Sequence, residues 1–167
     1  MRNSNLTRHS LQYSIHPPSK FIKTHLDELL PSWSAPVSSV LIVIQPCELA
    51  LVDRTVETEI HKFQLRQKVT ELGDKIVTQL QQDGYFADLF DPRTGLPMFS
   101  VSGQLRLDDV AVIRSTLGYS VLNRGDCRTI EHPIWGSAVY PSILVTSACS
   151  TILERVVKLH LDKLECA

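Results

Sequence analysis

The sequence predicts an α+β domain: a largely antiparallel sheet with helices packed against it. Three observations carry this. A β-branched, nearly continuous apolar run lies at residues 37–45, a helical period of apolar residues follows over 60–80, and several short strand-like segments cluster in the last third. The order of strand, long helix, hairpin, helix, several strands and helix is not the regular alternation of a parallel sheet.

Taken in order, residues 1–24 read as a flexible leader and residues 25–167 as one domain. His25–Leu30 can form a helical turn or two before Pro31, and 32–36 is a loop. Val37–Gln45 has the character of a central strand buried on both faces, ended by Pro46, which cannot donate to a ladder. Leu49–Glu57 is expected as a partner strand. Ile60, Phe63, Val69, Leu72, Ile76 and Leu80 stand at spacings of three and four or their sums, which predicts one apolar helix face, and Gly84 is placed to stop that helix. Phe86–Phe90 is a short strand, Asp91-Pro92-Arg93-Thr94-Gly95 a turn, and Leu96–Ser100 its antiparallel return. Asp108 or Asp109 can cap a helix that Gly118 ends. Tyr119–Val121, Arg128–His132 and Ser142–Thr146 are strand-like, and Thr151 with Glu154 has capping-box spacing ahead of a C-terminal helix.

Charge and composition exclude whole classes of function. Lys and Arg number 17 against 18 Asp and Glu, so the excess of cations that phosphate binding needs is missing and no nucleic-acid partner is expected. The longest apolar run, Val40–Ile44, is far short of the roughly 20 residues of a membrane span. The total hides an asymmetry: residues 1–25 carry four cations and no carboxylate, and the remainder carries 13 cations against 18 carboxylates. A basic, hydroxyl-rich, acid-free start resembles a mitochondrial transit peptide, although Pro17-Pro18 interrupts any amphipathic helix; the alternative is a disordered polar leader.

Familiar catalytic constellations are absent: no glycine-rich phosphate loop, no nucleophile elbow, no His-Glu-x-x-His. Cys47, Cys127, Cys149 and Cys166 are widely separated and show neither a disulfide framework nor a zinc pattern. Asp83, Asp88 and Asp91 are best read as carboxylates that cap turns. His132 lies five residues from Cys127, an offset that points the two to opposite faces of a strand, and Trp135 is expected to anchor the core. The most unusual stretch is Asn123-Arg124-Gly125-Asp126-Cys127-Arg128, where two arginines flank a thiol and favour its thiolate while Asp126 opposes them.

Two stretches resemble a known family. Gly84-Tyr85-Phe86-Ala87-Asp88-Leu89-Phe90-Asp91-Pro92-Arg93-Thr94-Gly95-Leu96 is similar to a Gly-Tyr-Trp-Ala-Asp-Phe-Ile-Asp-Pro-x-Ser-Gly-Leu segment of the methylmalonic aciduria and homocystinuria type D (CblD) family. Leu117-Gly118-Tyr119-Ser120-Val121, Gly125-Asp126-Cys127 and Ile130-Glu131-His132-Pro133-Ile134-Trp135-Gly136 resemble a second stretch of that family, Leu-Gly-Phe-Ser-Val, Gly-Cys-Cys and Ile-Arg-His-Ser-Leu-Trp-Gly, at matching spacing. The likeness extends over roughly residues 25–150. It implies a nitroreductase-like α+β fold without flavin, and a non-enzymatic adaptor. Such an adaptor binds the cobalamin-processing protein CblC and directs cobalamin toward methionine synthase in the cytosol and methylmalonyl-CoA mutase in mitochondria. Cobalamin would be held only in complex with that partner, not by the chain alone.

The resemblance also implies a site. Tyr119, Ser120, Arg124, Gly125, Asp126 and Cys127 become the candidates for cobalamin or partner contact. Gly84, Tyr85, Asp88, Asp91, Pro92, Gly95, His132, Trp135 and Gly136 become structural motif positions. The family has Gly-Cys-Cys where this chain has Gly125-Asp126-Cys127, and its cobalt-binding cysteine corresponds to Asp126. A carboxylate is a poor ligand for a soft site, so either Cys127 takes over as cobalt ligand after a small loop shift or transfer proceeds without a cobalt–sulfur bond. The family's long leader is shorter here. The alternative from another class is a flavin-dependent nitroreductase-like oxidoreductase, and no basic cluster suited to a flavin phosphate stands out in the linear sequence.

Overall fold

The computed structural model of the chain describes residues 11–165, and its centre is the apolar run read from the sequence. Strand β1 spans Gln12–His16 and β2 spans Ser39–Pro46; between them lie α1 (Lys20–Thr24) and α2 (Leu26–Leu29). The long helix α3 runs Val56–Gln82, followed by β3 (Ala87–Phe90), α4 (Asp109–Leu117), the pair β4 (Ser120–Arg124) and β5 (Cys127–Glu131), β6 (Val139–Thr146) and α5 (Ser150–Glu165). Four strands form an antiparallel sheet in the order β1-β2-β6-β3, and β4–β5 is a separate antiparallel hairpin.

Both faces of that sheet are covered, which explains why β2 shows no polar alternation. Val40, Ile42 and Ile44 point into one core with Ile143, Val145, residues of α1, α2 and α4, and Ile130 of the hairpin. Leu41 and Val43 point into a second core with Leu72, Ile76 and Leu80 of α3 and Leu153, Val156 and Val157 of α5. Each such aliphatic side chain removed from water contributes about 1.5–3 kcal/mol, so the central strand stabilises both layers at once.

Four expectations are corrected. The leader read over residues 1–24 is structured from β1 onward: Gln12–His16 pairs in register with Val40–Ile44, and Ser19 caps α1. Tyr13 and Ile15 pack against the second core, which supplies the burial that composition did not reveal; residues 1–10 lie outside the described part. The strand expected at Leu49–Glu57 is a turn and then the start of α3, because Thr55 accepts from the Thr58 amide at 3.1 Å while Thr58 Oγ1 accepts from the Thr55 amide at 2.9 Å. That reciprocal pair is a capping box with Thr in place of the usual Glu or Gln.

The third correction concerns the helix face. Val69, Leu72, Ile76 and Leu80 are buried, whereas Ile60 is 53% and Phe63 64% exposed. The sequence places Phe63 and Val69 six residues apart, and at 3.6 residues per turn that step carries Val69 about 120° round from Phe63, so they cannot share a face. Finally, the return strand at Leu96–Ser100 is reduced to a single bridge between Phe90 and Pro97. Pro97 has no amide to donate, the Met98 amide is shared between the Leu89 carbonyl and the Asp88 carboxylate at 3.0 Å each, and the Phe99 amide turns to that carboxylate at 3.0 Å.

Candidate functional site

The hairpin β4–β5 presents the candidate loop. Arg124 pairs with Cys127, leaving Gly125 and Asp126 as a two-residue turn in which only Gly125 has positive φ (+58°), the pattern of a type II′ turn. Asp126 is exposed at the tip and Cys127 is half-buried. Both line a cleft of about 890 Å³, with Arg128 and Thr129 following from β5. The other walls come from far along the chain: Leu51 and Arg54 before α3, Lys62, Phe63 and Arg66 on α3, Arg93 after β3, Asp109 and Val110 on α4, and Val139, Tyr140 and Pro141 on β6.

Five cations therefore face this cleft against three carboxylates, Glu59, Asp109 and Asp126. The linear sequence hid the cluster because it is assembled from four distant segments. Arg66 is fixed by a bidentate pair, with Nε at 2.8 Å and Nη2 at 2.7 Å from the two oxygens of Asp91. The Arg66 guanidinium holds the Asp91 carboxyl below the usual range, helped by the Arg93 amide at 2.9 Å. Burial pushes Asp109 in the opposite direction, up to about 7, and burial with the nearby Asp109 and Asp91 charges raises the Tyr140 hydroxyl.

The arginines beside Cys127 are committed elsewhere. Arg124 Nη1 donates to Asp53 Oδ1 and Arg128 Nη1 to Asp108 Oδ2, each at 2.7 Å. These exposed pairs tie the hairpin to the segment before α3 and to the Asp108 cap of α4, each at a fraction of a kcal/mol.

Tyr119 and Ser120 do not join Cys127. They line a second depression with Arg114 and Asn123, and Arg128 borders both hollows. Tyr119 belongs to a polar cluster that sequence reasoning left in pieces. Its ring meets His132 edge-on at 5.4 Å, and His132 stacks on Trp135 at 4.5 Å. His132 Nδ1 accepts from the amides of Ile134 and Trp135, which leaves the proton on Nε2, donated to Gln12 Oε1 at 2.7 Å. Burial lowers the His132 pKa, in keeping with a neutral ring. Gln12 also donates to the Tyr119 hydroxyl, so this cluster locks β1 onto the second family stretch. His132 does not line the Cys127 cleft, as the strand offset predicts.

Asp88 and Asp91 hold turns. Asp88 is fully buried on the Met98 and Phe99 amides; burial raises its pKa and those bonds oppose the rise. Gly84 and Gly136 have positive φ, Pro92 sits in the Asp91 turn, and Tyr85 packs at the edge of the second core. No group of three metal-ligating side chains occurs among the described residues.

The sequence model of the methylmalonic aciduria and homocystinuria type D protein family matches residues 3–157. The chain belongs to that family. It is 26% identical over 138 residues to the cobalamin trafficking protein CblD of Rattus norvegicus, and the aligned part covers 83% of this chain and 47% of the relative. The CblD proteins of Homo sapiens and Mus musculus match over the same length at 26% and 25% identity, with the same coverage. The chain thus spans about half the length of the curated relatives it matches. Both resembling stretches fall within the matched residues, and no helix among the described residues is long and apolar enough to cross a membrane.

Proposed function

We propose that this CblD-family chain is a non-enzymatic adaptor in cobalamin trafficking. It binds a CblC-type cobalamin-processing protein and directs the cofactor toward methionine synthase and methylmalonyl-CoA mutase, in cytosol, mitochondria or both. A flavin-free nitroreductase-like fold, as the resemblance implies, is part of this reading. The observation that carries it is the family match over residues 3–157. The geometry supports where contact occurs: the tip Gly125-Asp126 is exposed on a tight hairpin, and Cys127 faces an open cleft beside it.

In this reading cobalamin is cargo, presented by the partner at the mouth of that cleft. Of the tip residues, Cys127 would supply the donor to the cargo's cobalt, as a deprotonated soft thiolate, and the Asp126 carboxylate would be a poor substitute for it. The hairpin ties through Arg124–Asp53 and Arg128–Asp108 hold the tip in place while it does so.

Mixing the chain with cobalamin-loaded CblC-type protein should change the corrin absorption spectrum, and Cys127→Ser should abolish that change while leaving the complex intact. A spectral change that survives Cys127→Ser removes the thiol as ligand. The cationic cleft gives the flavin-dependent alternative one observation in its favour, and a purified protein that is yellow with near-stoichiometric flavin would decide for it.

A further inference from the structure

Val56, Ile60 and Phe63 form a stripe at i, i+4 and i+7 on the outer side of α3, and they are 80%, 53% and 64% exposed. A contiguous apolar stripe left in water is costly and marks a contact surface more often than chance. The groove along this stripe is lined by Arg54, Glu59, Ile60 and Phe63, and Arg54, Glu59 and Phe63 also line the Cys127 cleft, so the two form one continuous surface. Its apolar stripe on the exposed side of a helix, continuous with a charged cleft mouth, is the kind of surface a polypeptide segment with apolar anchors covers.

Its charge selects among occupants. Arg54, Lys62 and Arg93 border it, and among the described residues Arg54 and Arg93 enter no ion pair. Residues 26–167 carry five more carboxylates than cations, so this is a local positive face on an otherwise acidic domain. A second copy docking through the same face would set these cations against themselves. The chain's own first ten residues carry Arg2 and Arg8 and no carboxylate, which matches the surface no better.

We propose that the outer face of α3 from Val56 to Phe63, together with the cationic mouth of the Cys127 cleft, docks an acidic segment of the cobalamin-processing partner that carries apolar anchors. The anchors cover Ile60 and Phe63, and the carboxylates meet Arg54 and Arg93. This deepens the adaptor reading and rests on it: a segment laid along this path brings the partner to the thiol.

The test is isothermal titration of cobalamin-loaded CblC-type protein into the full chain and into Phe63→Ala, Ile60→Ser, Arg93→Glu and, away from the face, Val101→Ser, whose side chain is also exposed. We expect the first three each to weaken binding about tenfold, Val101→Ser to leave it unchanged, and added salt to weaken the wild type more than Arg93→Glu. Melting midpoints identify any variant lost to misfolding, and the remaining variants of the face then carry the result. Wild-type affinity in all three overturns this surface and leaves the adaptor reading standing. Absence of binding by the wild type overturns both. A dimer of the chain alone that Phe63→Ala dissolves assigns the face to a second copy and also overturns the proposal.

Discussion

Gly95, in the middle of the first family stretch, gives the sharpest stability test. Its φ is +73°, and a Cβ placed there would sit 2.7 Å from the Leu107 carbonyl oxygen and 3.1 Å from Arg106 Cβ. That oxygen has little room to withdraw, because the Leu107 amide is bonded to the Gly95 carbonyl at 2.8 Å and the Leu107 side chain is buried in the first core. Gly84 is the natural comparison, with a φ of +89° and nothing within 4 Å of its would-be Cβ. A left-handed backbone costs an alanine about 1–2 kcal/mol at either site. The collision adds about 1–3 kcal/mol at Gly95 alone. Gly95→Ala should therefore lose about 2–5 kcal/mol and Gly84→Ala about 1–2 kcal/mol. For a domain of this size each kcal/mol moves the melting midpoint by about 2–4 °C. Urea unfolding followed by circular dichroism, with a common slope for the three proteins, measures the difference. Equal losses in the two variants would refute the argument that a backbone collision, and not φ alone, demands glycine at position 95.

Three further outcomes follow from the same geometry. Gly103→Ala should destabilise by about 3 kcal/mol or more, since its Cβ would run into the Glu28 carbonyl that also accepts from the Leu105 amide; a melting midpoint equal to wild type would contradict this. Burial raises Asp109 from 3.8 to about 7, so the folded chain keeps a proton that the unfolded chain has released between those values. Stability should fall as pH rises through that window, and Asp109→Asn should flatten the fall in urea midpoints; an unchanged slope would count against it. His132, whose pKa is lowered, contributes stability that is complete above 6.5 and lost as pH falls below it. Protonating Nδ1 breaks its bonds from the Ile134 and Trp135 amides, so these amides and β1 should exchange hydrogen faster on acidification, and exchange rates insensitive to pH after correction for intrinsic chemistry would argue otherwise.

The fold was legible where a single local signal controls structure. Val37–Gln45 reads as a buried strand because its centre, Val40–Ile44, is buried on both faces and carries no polar residue, and Gly118 reads as a helix stop because only its conformation is required. Legibility failed where a distant partner decides. Tyr13 and Ile15 become an edge strand only because β2 offers a free side and α5 a surface to pack on. Ile60 and Phe63 look like core residues until the six-residue step to Val69 is converted to an angle.

The same division holds for the site. Cys127 and Asp126 could be singled out from their neighbours, whereas the five cations of the cleft come from segments up to 74 positions apart and have no linear signature. The tie from His132 to Gln12 spans 120 positions and is equally silent in sequence. The two arginines beside Cys127 are paired with Asp53 and Asp108, carboxylates of other segments that the linear sequence gives no reason to place there.

The central claim is that this chain forms an adaptor complex with a cobalamin-carrying protein. Gel filtration of the full chain mixed with cobalamin-loaded CblC-type protein, monitored at both protein and corrin wavelengths, tests it most directly. We expect one earlier-eluting peak that carries both proteins and the corrin absorbance. Two separate peaks at their individual positions, with the corrin confined to the CblC-type protein, would contradict it.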